Sequence, residues 1–137
     1  MPGNTLPIFS KIARVEWANG ITAANINKDG TGTVDTVFTA PSPDGAYLQK
    51  LVIRPRGTNV ASVLRVFMNN GGVTTTAANN VMIAEVSLPA TTNSEVAALS
   101  GNEVPLNVPL PPGYRVTVTL GTAVAGGYAV AAFGGDY

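Results

Sequence analysis

The sequence predicts an all-β domain, an antiparallel β-sandwich of jelly-roll or related Greek-key topology with at most one short connecting helix. Three observations predict it. Apolar and polar residues alternate with period two in several segments, turn residues interrupt them every eight to twelve positions, and only one stretch carries helix signals. A chain of 137 residues suits a single hydrophobic core. We therefore expect one sandwich over residues 11–137, preceded by an extended N-terminal arm over 1–10.

In the arm, Pro2 and Pro7 exclude regular helix, while Leu6, Ile8 and Phe9 are apolar enough to seek burial. Extended, eight such residues reach roughly 26 Å, enough to lie on a neighbouring molecule. The alternative is that the same side chains cover their own sandwich. Alternation then marks strands at 11–17, 21–27 and 33–39, and more strongly at 47–54, 60–68 and 81–88. Asn69, Asn70, Gly71 and Gly72 read as a turn and 73–80 as a Thr/Ala/Asn loop. Residues 92–99 are the helix candidate: Thr92 and Glu95 match a capping box, and Gly101 is a suitable stop. Over 104–110, Val104, Leu106, Val108 and Leu110 alternate with Pro105, Asn107 and Pro109, so the segment is extended but belongs at a sheet edge. Pro111, Pro112 and Gly113 turn the chain into the clearest strand, 114–120, where Val116, Val118 and Leu120 alternate with Arg115, Thr117 and Thr119. A last strand is expected over 128–133.

Composition narrows function. Charged residues are 12% of the chain, about half the usual share, whereas apolar residues reach 45%. Such a surface suits large protein contacts, because interface cores are poor in charge. Eight basic residues balance eight acidic ones, which leaves no field to attract nucleic acid or a membrane surface. With neither cysteine nor histidine, thiolate chemistry, disulfides, the commonest general base and the commonest zinc ligands are all missing. No enzyme activity and no cofactor are expected. The start lacks the basic region and apolar run of a secretion signal, so the protein is expected to be made and used without export through that route.

Individual candidates point the same way. Asn25, Asn27 and Asp29, followed by Gly30, look like the front half of a calcium loop, but Gly32 and Thr36 break the back half, and a hairpin turn on Lys28, Asp29 and Gly30 explains the residues without metal. Trp17, with Ala13 and Val15, reads as a core anchor rather than a stacking platform for sugar or base. Tyr47, Tyr114 and Tyr128 are expected to bury their rings with hydroxyls at the rim. The candidate partner contacts are Leu6, Ile8 and Phe9 in the arm, Arg54 and Arg56 in a solvated turn, and Tyr137 at the end.

The run from Leu110 through Pro111-Pro112-Gly113-Tyr114-Arg115 to Thr122, then Ala125-Gly126-Gly127-Tyr128-Ala129-Val130 and the ending Gly134-Gly135-Asp136-Tyr137, resembles small structural proteins of tailed bacteriophages. In size and sandwich character it is similar to their capsid decoration, or cement, proteins. That resemblance implies a homodimer or homotrimer on the outer surface of the virion, bound to the major capsid protein and stapling neighbouring capsomers. It transfers no residue-level site. A head-fibre, tail or receptor-binding module is the alternative within the virion; a carbohydrate-binding module and a calcium-dependent adhesive module are alternatives outside it.

Overall fold

The alternation of Val116, Val118 and Leu120 with threonines places the first set in a core and the second on the opposite face of one strand, one of eight. The computed structural model describes residues 10–137. The arm side chains Leu6, Ile8 and Phe9 lie outside the described residues. The strands are β1 (Ile12–Ile21), β2 (Asp35–Thr39), β3 (Ala46–Pro55), β4 (Ser62–Asn69), β5 (Asn80–Leu88), β6 (Asn102–Leu110), β7 (Arg115–Leu120) and β8 (Tyr128–Asp136). They form two four-stranded antiparallel sheets, ordered β1-β8-β3-β6 and β2-β7-β4-β5. First strand pairs with last, second with seventh, third with sixth and fourth with fifth, and this nesting makes the sandwich a jelly roll.

The core lies between the sheets. Leu48, Leu51 and Ile53 from β3 and Tyr128, Val130 and Ala132 from β8 meet Leu64, Val66, Val116, Val118, Leu120 and Phe38 of the other sheet, all nearly or fully buried. Each large apolar side chain so buried contributes about 1.5–3 kcal/mol. The proline-bearing β6 does occupy a sheet edge. Its register against β3 shifts between Leu48 and Lys50, where Asn107 adopts a φ of 52° and its Oδ1 accepts from the Tyr47 hydroxyl at 3.0 Å.

The two outer faces differ. After β1, residues 22–34 do not form the strand expected over 21–27. Instead, the Asn25 N–H donates to Leu120 O at 2.7 Å at one corner of the β2-β7-β4-β5 sheet. At the opposite corner Gly30 packs so closely on Asn80 that a Cβ there would lie 2.7 Å from the Asn80 Cβ. The segment thus runs diagonally over the outer face of that sheet, and this explains why Phe67, Asn69, Thr117 and Thr119 are buried although they point away from the core. The outer face of β1-β8-β3-β6 carries no comparable cover among the described residues.

Two further expectations are corrected. The helix over 92–99 does not form: Ser94 Oγ accepts from Val96 N and Ala97 N at 3.2 and 3.1 Å, a capping geometry, but Val96 is 97% exposed and nothing packs a helical face. A single 3-10 turn, Ala77–Asn79, occurs instead in the 73–80 loop.

Candidate interaction surface

β1 alternates Arg14, Glu16 and Ala18 with Ala13, Val15 and Trp17, and either set could face inward. The charged set does. Arg14 Nη1 donates to Asp136 Oδ1 at 2.9 Å and Nη2 to Thr39 O at 2.9 Å; the guanidinium also contacts Glu16 and stands 4.6 Å from the Phe38 ring centroid. Glu16 Oε2 in turn accepts from Thr39 N at 3.0 Å. With its charges satisfied by Asp136, the β2 backbone and an aromatic face, this side of β1 closes the sandwich edge with Arg14 and Glu16, and only Ala18 adds an apolar side chain.

The apolar set is left outside. Trp17 is 64% exposed and Val15 48% exposed, so Trp17 is not the core anchor its neighbours suggested. Strand register extends the patch. Val15 lies opposite Phe133, itself opposite Lys50, and Trp17 lies opposite Ala131, itself opposite Val52. Directly opposed side chains on one face are about 4.5–5.5 Å apart at Cβ, so these residues form one apolar platform. At its far rim Lys50 pairs with Glu103 at 3.3 Å and sits 5.7 Å from the Phe133 centroid. Beside Trp17 a groove of about 440 Å³ opens between the sheets, lined by Val15, Glu16, Trp17, Thr36, Val37 and Thr39.

Among the described residues singled out from sequence, Arg54 alternates with Val52 on β3, opposite Ala129, and so shares the outer face of this platform, whereas Arg56 and Tyr137 lie beyond its two ends. Arg54 is exposed near the end of β3, where its Nη2 donates to Leu99 O at 3.0 Å, and Arg56 is exposed just beyond. Tyr137 is half-buried at the other end of the same sheet, its N–H donating to Gly45 O at 3.3 Å. Of the tyrosines, Tyr128 is 2% exposed while Tyr47 and Tyr114 are half-buried. In the calcium-loop look-alike the oxygens serve the loop itself. Asn25 Oδ1 accepts from Asn27 N at 3.0 Å, and Asp29 Oδ1 accepts from Thr31 N at 3.0 Å and Thr31 Oγ1 at 2.5 Å. The Thr31 hydroxyl, then its N–H, holds the Asp29 carboxyl below the usual range. The residues make a turn, but not a hairpin, because β1 and β2 belong to different sheets. Asp35, half-buried at the start of β2, is shifted upward by desolvation.

What sequence reading missed is the Val15 and Trp17 platform. The available signal was Arg14 and Glu16: two opposite charges at alternate positions are as well placed for a satisfied inner edge as for solvent. No family model matches the chain. No curated protein matches it either. Among solved structures, a chain of the T13 IBDV viral particle, from an icosahedral virus, aligns over 91% of this chain at 16% identity and a TM-score of 0.35, and this chain spans 32% of that one's length.

Proposed function

We propose that this chain is a non-enzymatic structural protein of a virus particle, binding the outside of a bacteriophage major capsid protein lattice and stapling neighbouring capsomers. The single observation that carries the reading is the apolar platform of Val15, Trp17, Ala131, Phe133 and Val52, which no described residue covers, on one sheet of a jelly roll whose other sheet is covered. Exposed patches of this kind mark protein contacts more often than catalysis. A surface poor in charge and a chain without cysteine or histidine support it, as does the likeness of the 110–137 run to phage structural proteins.

A homodimer or homotrimer would place several platforms on one shell. Binding that prefers the assembled lattice stabilises it by about 2.7 kcal/mol per site at a hundredfold excess over Kd. The test mixes the purified protein with undecorated capsids and images the particles. Even coverage of the head is expected. The Val15→Ser/Trp17→Ser double variant and the deletion of residues 2–9 separate the platform from the arm. Label at the tail, or undiminished binding by both variants, would overturn the reading.

One observation favours a second reading. Trp17 is exposed beside a groove holding the Glu16 carboxylate and the Thr36 and Thr39 side chains, a setting suited to stacking a sugar ring. Trp17 is the sole tryptophan, so its fluorescence reports directly on added glycans. A spectrum unmoved across a glycan panel excludes a carbohydrate-binding module.

A further inference from the structure

β1 ends its sheet, and residues 12–18 hold an unbroken register against β8 before the irregularity between Ala18 and Ile21. Such a strand offers a row of unpaired N–H and C=O groups on its free side. Natural sandwiches guard these edges, and the neighbouring edge strand here is guarded. The Thr39 N–H and C=O of β2 are taken by Glu16 and Arg14, and the register of β2 shifts between Thr36 and Phe38. Among the described residues β1 has no such device. Its flank is the groove beside Val15, Glu16 and Trp17.

We infer that residues 12–18 of β1 pair antiparallel with the same residues of a second copy of this chain, about a two-fold axis through Val15, joining two four-stranded sheets into one. Opposed residues in a ladder share a face, so a two-fold that keeps both outer faces on one side must pass through a residue. With the axis at Val15, Arg14 lies opposite Glu16 of the second copy, twice, and Trp17 lies opposite Ala13, twice. Val15 meets its own copy, and Ile12 meets Ala18. Opposite charges face each other and the largest side chain faces one of the smallest, both favourable for cross-strand pairs. Moving the axis to Glu16 or to Arg14 sets like charges directly opposite, which is unfavourable. The segment 12–18 is also centred on Val15, so this axis alone uses all of the regular edge. The contact is isologous and closes on itself, leaving no free β1 edge for a third copy.

Pairing in this way brings two Val15 and Trp17 platforms side by side on one surface. The inference deepens the homo-oligomer that the proposed function includes, but dimerisation is measured without any shell, so its failure leaves shell binding standing and the reverse also holds.

The test is size-exclusion chromatography with light scattering at about 100 µM, well above a micromolar Kd for a small interface. The unaltered chain is expected at twice its 14.0 kDa mass. Val15→Lys and Val15→Glu are expected at the single-chain mass when alone and at the doubled mass when mixed, because residue 15 meets only its own copy. Circular dichroism checks that each variant keeps its sheet. The chain has no cysteine, so Val15→Cys introduces a single thiol. Opposed Cα atoms in a ladder lie within disulfide reach, so oxidation should cross-link Val15→Cys at least about tenfold faster than Ala13→Cys, whose own copy sits far along the strand. A single-chain mass for the unaltered protein, a mixture no more dimeric than its components, or equal cross-linking at positions 13 and 15 would each overturn the inference.

Discussion

Arg14, on the first strand, donates from Nη1 to the carboxylate of Asp136, on the last strand, at 2.9 Å. The bond ties two strands 122 positions apart in sequence, and the same guanidinium reaches across to Thr39 O of the opposite sheet. Arg14→Leu keeps an apolar stem over Phe38 but removes these bonds. A loss of about 1–3 kcal/mol is expected from charge-assisted hydrogen bonds of this kind, read as a lower urea midpoint with an unchanged slope.

Asn59 is 3% exposed and fastens the turn before β8. Its Oδ1 accepts from Gly127 N at 2.8 Å, and its Nδ2 donates to Gly127 O and Gly57 O at 3.2 and 3.3 Å. Asn59→Ala strands the Gly127 N–H, while Gly127 O and Gly57 O keep Arg56 N and Thr91 Oγ1, and should cost about 1–3 kcal/mol. Amide exchange at Gly127 should accelerate together with the fall in stability; an unchanged rate would show that the turn holds without the side chain.

Two glycines separate lack of room from backbone conformation. A Cβ on Gly134 would collide with the Tyr47 carbonyl in the adjacent strand, so Gly134→Ala should cost about 1–3 kcal/mol through displaced backbone. Gly113 has nothing within 4 Å but a φ of 82°. Gly113→Ala should cost about 1 kcal/mol, from conformation alone. Thermal melts of the two variants give the order.

Asp35 supplies the pH dependence. Desolvation raises its folded pKa above the ordinary 3.8, so the folded state favours the protonated form. Its contribution to stability is therefore present below the unfolded value and lost as pH rises through the folded one. Asp35→Asn should melt higher than the unaltered chain at pH 7, with the difference vanishing below about pH 4. A constant difference across that range would show that the gain has another origin.

The strands were legible where alternation met a clear change in polarity, as at Val116, Val118 and Leu120, and where proline restricted the options, as at Pro105 and Pro109 on the β6 edge. Alternation gives the period of a strand but not which side faces the core. At β1 both sides could be buried in principle, and the outcome turned on Asp136 and Thr39, partners far away in sequence. The helix signal at 92–99 rested on a capping box of Thr92 and Glu95, but Ser94 is the residue that caps, and a segment this short needs an apolar face packed on something, which Val96 lacks. The interaction platform was hidden for the same reason as the face of β1: Val15, Ala131, Phe133 and Val52 become neighbours only through the register of three strands.

The placement of β8 between β1 and β3 sets an order of events during synthesis. Until Tyr128–Asp136 has left the ribosome, β1 and β3 have no strand to join them, although β3 already has β6 as a partner. Completion of that sheet waits for β8, which joins segments more than 100 positions apart, and long-range pairings of this kind form slowly.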